Sequence, residues 1–284
     1  MTQLNSVLKP LKILKDPRWF QIIFLSGFLT FGLMELGWKA EWMRYGAIVV
    51  SAIITQTIWV VIERQSFDGL KSAMITALGL CLLLKSDLLW VNVLASVLAI
   101  SLKFLVRYKG KHVFNPANAG IILTILITRH AWISPGQWGS SLVLLFFFGA
   151  AGLMVLFRVS RLETGLAFFI TYFMLAYGYH VAYLGWTMDV VIHKITNGSL
   201  LLFSFFMITD PRTIPNDKVT RLIWAVVIAG FSFWLETYFK VRGAPLWVLF
   251  FTAPITLILD KVRGGHAFQW LPQPPASITH KNIL

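Results

Sequence analysis

The sequence is poor in charged residues, in acidic residues above all, and in cysteine. Only 13% of its 284 residues are charged, and 12 Asp and Glu stand against 25 Lys and Arg, which gives a formal net charge of +13. Because soluble domains carry roughly 25% charged residues, this composition excludes an ordinary soluble domain. Cys81 is the single cysteine, so a disulfide framework and a cysteine-based metal site are excluded as well.

Motifs of several enzyme classes are also missing. The sequence contains no HExxH, P-loop or GxSxG motif and no Cys/His cluster. His180 lies in an apolar stretch without a second histidine at the spacing that a haem pair needs. We therefore expect no catalytic residue and no metal site. The N-terminal basic segment lacks a short apolar run with a cleavage site, so we also expect no signal peptide.

Apolar residues are abundant in the sequence. Hydrophobic residues make up 57% of the chain, and the mean hydropathy is +0.72. Backbone polar groups in lipid must be satisfied internally, which leaves helices or closed barrels, and runs such as LVLLFFFGAAGLMVLF do not alternate as barrel strands do. The sequence therefore predicts an all-α integral membrane protein with about ten transmembrane helices. The ten apolar segments are 20–37, 46–62, 70–84, 88–106, 117–128, 140–157, 164–186, 196–209, 220–235 and 245–259.

The basic residues are distributed unequally between the predicted loops. With the N-terminus in the cytoplasm, 18 of the 25 Lys and Arg fall on the cytoplasmic side and 7 on the outer side. Short cytoplasmic loops of membrane proteins are enriched in Lys and Arg. We therefore predict a multi-pass protein of the cell (inner) membrane with both termini cytoplasmic. The excess of bases then reflects topology in the lipid bilayer, and no nucleic-acid partner is needed to explain it.

The segment lengths predict an internal repeat. A span needs roughly 20 residues, but the third, fifth, eighth and tenth segments are clearly shorter. When the ten segments are divided into two sets of five, the short segments are the third and fifth of each set. Because each set contains an odd number of helices, the second set has the opposite orientation in the membrane. Paired interruptions of this kind mark binding sites in transporters, although short helices are also found simply buried. We predict a cytoplasmic segment 1–19, a membrane domain 20–259 with repeats at about 20–128 and 140–259, and a cytoplasmic tail 260–284.

The first polar segment inside the membrane domain reads RYKGKHVFNPANAGI. Asn115 followed by Pro116 predicts a helix start, because Asn is a good N-cap and Pro fits the first helical position. The N–H groups at that end favour an anionic or carbonyl-rich ligand, and Asn118 adds an amide within the first turn. The alternative interpretation is a capped half-helix beside a basic loop.

Two further segments carry polar groups. In FFMITDPRTIPND, Asp210 ends the eighth segment, where its carboxylate opposes the helix dipole and needs an arginine, a bound cation or a cap on the next turn. Thr209 and Thr213 are candidates for binding polar ligand atoms, and a proline-rich turn explains the segment equally well. In FRVSRLETGLAFF, Glu163 fits a capping box that begins three residues earlier.

Together these segments resemble one family. HVFNPANAG is similar to the FNPA segment of the NqrB/RnfD family, the membrane subunits of sodium-pumping NADH:quinone oxidoreductase and of the Rnf complex. MITDPRTIP is similar to that family's M-A-T-D-P-x-T-x-P segment, and SRLETG, more weakly, to its G-S-x-G-E-T-S stretch. The order of the segments also agrees, over about residues 17–263. The chain is more similar to short, UnbU-like members of the family than to NqrB, because only about 19 residues precede the first predicted span.

The resemblance implies a ten-helix subunit that houses a flavin and relays electrons in a membrane complex coupled to ion transport. Family members carry FMN covalently on the Thr of an S/D-G-A-T motif in the outer loop after the FNPA helix. That loop reads TRHAWISPGQWGSS here and lacks the motif, so we expect a noncovalent flavin, riboflavin or FMN, and no covalent flavinylation. The expected partners are other membrane redox subunits. The residues expected to bind the flavin are Asn115, Asn118, Glu163, Thr209, Asp210 and Thr213.

Two other functions fit the same scaffold without a redox group. A transporter or channel would enclose a small solute or an ion between short half-helices. A structural anchor would only hold other membrane subunits, and would tolerate alanine at Asn115 and Asp210. Of the three functions, the sequence favours the electron-relay subunit.

Overall fold

Helices make up most of the chain in the computed structural model, which describes residues 16–133 and 162–265. The predicted all-α membrane architecture is confirmed. Segments of π-helix, Gly178–Tyr183 and Phe203–Met207, continue α6 and α8, and a 3₁₀ turn, Phe67–Gly69, precedes α3. The helices are α1 Pro17–Met34, α2 Trp42–Ile62, α3 Leu70–Leu83, α4 Leu89–Leu105, α5 Pro116–Thr128, α6 Leu162–Tyr177, α7 Met188–Ile195, α8 Gly198–Leu202, α9 Lys218–Tyr238, α10 Ala244–Thr252 and α11 Ile255–Val262.

Nine of the ten predicted apolar segments coincide with these helices, and the sixth, 140–157, lies outside the described residues. Two features differ from the prediction. Helix α7 occupies a stretch that the sequence assigned to a loop. The tenth segment is broken into α10 and α11, which are bent by 54° relative to each other. The break falls at Ala253 and Pro254, because proline cannot donate the backbone hydrogen bond that would continue the helix.

Among the described residues, three helices are long and apolar enough to cross a membrane on their own, namely Trp42–Ile62, Glu163–Tyr183 and Lys218–Tyr238. The bent pair of α10 and α11 makes a fourth when it is counted as one span. The other apolar helices of the described ranges are shorter. Two of them, Pro116–Thr128 and Gly198–Met207, correspond to the fifth and eighth predicted segments, which are also short in the sequence. About ten crossings, the inverted repeats and the domain limits therefore stay predictions.

Side-chain caps explain where several helices begin. Asp16 Oδ1 accepts a hydrogen bond of 3.1 Å from the backbone N–H of Arg18 at the start of α1. Asn197 caps α8 and Asp217 caps α9 in the same way. These side chains satisfy N–H groups that the first turn of a helix leaves without a partner.

Two short antiparallel ladders join helix ends. Strand β1, Leu84–Ser86, pairs with β4, Ala131–Ile133, and thereby ties the end of α3 to the end of α5. Strand β2, Arg107–Tyr108, pairs with β3, Lys111–His112, in a hairpin directly before α5. The turn of that hairpin contains Gly110 at a φ of +78°, a conformation that glycine adopts without strain.

Close packing places α5 at the centre of the first half. Helix α4 packs against α2 and α5, and α5 also contacts α3 and α10, while α6 packs against α9 in the second range. A Cβ added at Gly120 would lie 2.6 Å from the Cβ of Ala99 and 2.7 Å from the carbonyl oxygen of Ala95. Glycine therefore permits the close approach of α4 and α5, as small residues do between membrane helices.

Ion pairs separate the charged residues into two groups. Those formed between described residues join partners that the sequence places on the same side of the membrane, which agrees with the predicted division into two faces. The cytoplasmic location of the termini stays a prediction. Predicted cytoplasmic pairs include Lys111–Asp260, Arg107–Glu63 and Arg221–Glu163, and predicted outer pairs include Lys85–Glu41 and Lys194–Glu236.

Candidate functional site

The FNPA segment begins helix α5 as the sequence predicts. Asn115 has an extended backbone, Pro116 lies in the first turn, and Oδ1 of Asn115 accepts a hydrogen bond of 3.1 Å from the N–H of Asn118. The predicted N-cap is confirmed. The cap uses only the oxygen of the Asn115 amide, so its NH₂ group is available for another partner beside the positive end of the α5 dipole.

That partner is the carboxylate of the second motif. Nδ2 of Asn115 donates a hydrogen bond of 3.1 Å to Oδ2 of Asp210. Oδ1 of Asp210 accepts a second bond of 3.1 Å from the backbone N–H of Arg212. Of the compensations that the sequence offered for this carboxylate, the structure contains the cap on the next turn and the nearby arginine.

The surroundings of Asp210 favour its neutral form. Burial raises the pKa of this carboxyl above its ordinary value, and the N–H and charge of Arg212 and the hydrogen bond from Asn115 offset the increase only in part. The carboxyl group therefore holds a proton more readily than an exposed aspartate does.

The turn after α8 is fixed by side chains from three other elements. Nζ of Lys111 donates to the carbonyl oxygen of Ile214 at 2.6 Å and forms an ion pair with Asp260. Oδ1 of Asp260 accepts a bond of 2.8 Å from the N–H of Asn216. Arg221 donates to the carbonyl oxygen of Asn216, also at 2.8 Å. The position of Asp210 relative to α5 is therefore held by the hairpin, α9 and α11.

Asn115 and Asp210 line a common cavity, and the other four expected flavin-binding residues do not. Thr209 and Thr213 are buried near it, and their hydroxyl groups donate to backbone carbonyl oxygens. Asn118 is buried too, and its Oδ1 has no hydrogen-bond partner among the described residues.

Glu163 contributes indirectly. Its Oε1 accepts a bond of 2.6 Å from the guanidinium of Arg221, which in turn holds the carbonyl oxygen of Asn216. Glu163 therefore supports the turn that carries Asp210. Ser160, with which the sequence pairs Glu163 in a capping box, lies outside the described residues.

We call the space beside Asn115 and Asp210 the motif cavity. Its walls come from α1, α3, the start of α5, and the π-segment and turn after α8, so three of the short helices meet there. Six of its polar wall residues were not among the expected flavin-binding residues. His112 and Arg212 lie within three positions of a motif residue, which is a usable signal, whereas α1 gives no such signal. The six are Arg18, Gln21, Ser72, Thr76, His112 and Arg212.

His112 is neutral in this environment. Its Nε2 accepts a hydrogen bond of 3.2 Å from the guanidinium of Arg212. Burial and the neighbouring positive charges of Arg212, Lys103 and Arg107 lower the pKa of His112 to about 3. The positive charge beside the cavity therefore resides on arginine.

The polar groups of the motif cavity fit one edge of a flavin. Amide, carboxyl and guanidinium groups complement the N–H and C=O groups of the pyrimidine edge. The enclosed volume is about 80 Å³, which is smaller than the cavity of about 150 Å³ that holds one benzene ring. The enclosed space is therefore too small for the three rings of a flavin, and its walls match only the polar edge of one. Within residues 16–133 and 162–265, no group of three His, Cys, Asp or Glu side chains is placed to hold a metal ion.

Comparison with known proteins agrees with the resemblance of the motifs. A search of curated protein sequences finds no significant match. The sequence model described as the NQR2, RnfD, RnfE family matches residues 126–263. This range contains Glu163 and the segment around Asp210, and it begins after the FNPA segment. Residues 126–263 are therefore similar to the NQR2, RnfD, RnfE family, and this match supports a membrane subunit of an Rnf- or Nqr-type complex.

Proposed function

We propose that this subunit relays electrons within a membrane complex through a noncovalently bound flavin, riboflavin or FMN, at the motif cavity. The hydrogen bond between Asn115 and Asp210 carries the proposal, because it brings the two motif segments together at one cavity. The family match supports the membrane-complex part of the proposal.

The chain's own side chains bind, orient and hold protons. Asn115 and Asp210 present an amide and a carboxyl group to the polar edge of the ligand. The guanidinium of Arg212 favours negative charge in the cavity, whereas that of Arg18 is already paired with Asp16 and Asp68. A bound flavin supplies the electron-transfer chemistry, and the protein tunes it by burial and nearby charge.

The remaining parts of the relay belong to other subunits. The sequence has no P-loop and no other nucleotide motif that we recognise, so we propose that membrane redox partners deliver and accept the electrons. Coupling to ion transport then arises in the assembled complex in the inner membrane.

The experiment is purification from native membranes in mild detergent. We expect the chain to co-purify with membrane redox subunits and with an acid-extractable flavin, which chromatography identifies as riboflavin or FMN. A colourless preparation that retains its partners would contradict the proposal. Asn115→Ala should lose the flavin. Asn92→Ala is its control variant, because Asn92 is buried like the motif asparagines and lies away from the motif cavity.

The convergence of three short helices at the motif cavity also favours a second candidate, a transporter or channel for a small solute or an ion. Proteoliposomes that contain the purified complex distinguish the two functions. The electron relay predicts that ion movement depends strictly on an electron donor, whereas uptake without any donor would support the transporter.

A further inference from the structure

A second cavity lies on the predicted outer side of the second range. Its volume of about 660 Å³ is within the range of roughly 300–1,000 Å³ that small-molecule sites occupy. The walls come from α6 with its π-segment, α7, α8, α9 and the start of α10. We call it the aromatic cavity and define it by Tyr172, Tyr179, His180, Trp186, Ser199 and Thr237.

Three buried side chains on the wall have polar atoms without a partner. Both ring nitrogens of His180, Oγ of Ser199 and Oγ1 of Thr237 make no hydrogen bond with the described residues. These residues are only 5%, 5% and 6% exposed. Each buried group left unpaired costs about 1–3 kcal/mol, and native proteins pair nearly all of them. Three such groups around one cavity point to a ligand that pairs them.

The wall also presents a stacked pair of rings. The centroids of His180 and Trp186 are 5.0 Å apart and their planes differ by 20°. The backbone N–H of Trp186 donates a bond of 2.9 Å to the carbonyl oxygen of His180 and holds the pair in place. His180 lies in the π-segment Gly178–Tyr183, a geometry that occurs frequently at functional sites. A planar ring is the shape that such a wall accommodates by stacking.

The charges around the cavity are mainly positive. Glu236 is the acidic wall residue, and it already accepts bonds from Tyr172 at 2.7 Å and from Lys194 at 3.2 Å. Lys240 and Arg242 are exposed wall residues that no carboxylate of the described part of the chain neutralises. Helix α10 begins at this wall, and the positive end of its dipole adds to the attraction for an anion.

We propose that the aromatic cavity binds a planar aromatic anion. Its ring system packs on Trp186, which is 49% exposed and stacks on His180 with its other face. Its polar atoms pair with His180, Ser199 and Thr237, and its negative group lies at Lys240 and Arg242. The inference does not rest on the proposed function, because the two cavities share no wall residue.

The test measures binding to the protein in lipid nanodiscs by isothermal titration calorimetry. The two probes are naphthalene carboxylate and its neutral carboxamide, which have nearly the same shape and differ in charge. Empty nanodiscs correct for partitioning into lipid. We expect the carboxylate to bind at least about tenfold more tightly, as a charge-assisted contact to arginine predicts.

Two sets of variants locate the site. The double variant K240Q/R242Q removes the charges and should abolish the preference for the carboxylate, and its exposed positions leave the fold intact. The double variant S199A/T237V removes the hydroxyl groups and should weaken both probes. Lys39→Gln is the matched control, because Lys39 is an exposed base on the same predicted side and is absent from the wall.

Three outcomes would overturn the inference. They are no binding of either probe to the folded protein, equal binding of both probes, and a preference that persists in K240Q/R242Q or disappears in K39Q. Gel filtration of each variant shows whether it is folded. Because no flavin enters this experiment, its failure is distinguishable from failure of the flavin proposal.

Discussion

Nδ2 of Asn115 donates a hydrogen bond to Oδ2 of Asp210 across 3.1 Å and joins two segments that are 95 residues apart. The same asparagine caps α5 through its other amide atom. One side chain therefore orders the start of a short helix in the first half and the turn after a short helix in the second. This arrangement makes the motif cavity a joint product of both halves of the chain.

Replacing Asn115 by alanine removes the cap and the bond to Asp210 together. We expect Asn115→Ala to destabilise the protein by about 1–3 kcal/mol, because a buried carboxylate loses one partner. Asp210→Asn should cost much less, since it removes a buried charge and keeps an oxygen that accepts from Asn115. Thermal unfolding in detergent, followed by tryptophan fluorescence, measures both. A wild-type unfolding temperature for Asn115→Ala would contradict this account of the contact.

His112 makes stability depend on pH. Its pKa falls from an ordinary 6.5 to about 3 in the folded protein, so the unfolded chain binds the proton preferentially between these values. Stability should therefore fall as the pH drops below about 6.5, by up to roughly 2 kcal/mol at pH 5. His112→Gln keeps an acceptor for Arg212 and should remove this part of the slope. Unfolding temperatures recorded from pH 7 to about pH 5 compare the two proteins, and identical slopes would refute the assignment.

Gly243 combines a positive φ with a close contact. Its φ is +67°, and an added Cβ would lie 2.7 Å from Cδ1 of Ile133 in β4. Gly243→Ala should therefore lower the free energy of unfolding by about 1–2 kcal/mol, because alanine disfavours the positive φ. The close contact with β4 should add to this loss. Gly37→Ala is the control, because Gly37 has a φ of +63° and nothing within 4 Å of an added Cβ. Chemical unfolding should show the larger loss for Gly243→Ala, and equal losses would exclude a role for the contact.

The predicted topology is testable with single cysteines in a Cys81→Ala background. Lys109→Cys should react with a membrane-impermeant maleimide only from the cytoplasmic side, and Lys39→Cys only from the outside. Both positions are exposed. Labelling of spheroplasts and of inverted vesicles measures the two accessibilities. The opposite pattern would reverse the orientation inferred from the distribution of Lys and Arg.

Apolar runs bounded by charges were sufficient to predict nine helices, because lipid forces backbone groups to pair within each segment. The N-cap at Asn115 was predictable too, since two adjacent residues determine it. Helix α7 was not, because its eight residues are too few to give a clear periodic signal. The break at Pro254 was missed although the proline is visible in the sequence, because the apolar run 245–259 continues on both sides of it.

The contacts between distant segments could not be read from the sequence. Glu163 fits a local capping box, yet its partner is Arg221, 58 residues further along the chain. The aromatic cavity has no linear motif at all. His180, Ser199 and Thr237 come from three different helical elements, and Trp186 resembles an ordinary residue of the membrane interface in the sequence. Only tertiary packing brings these side chains together.

The flavin content of the purified complex tests the central claim most directly. It is measured for the wild type, for Asn115→Ala and for Asn92→Ala, each purified with its partners from native membranes. The account predicts about one noncovalent flavin per chain, bleached by a chemical reductant and restored by air, in the wild type and in Asn92→Ala, with a clear loss in Asn115→Ala. A fully assembled wild-type complex without flavin, or an undiminished flavin content in Asn115→Ala, would contradict it.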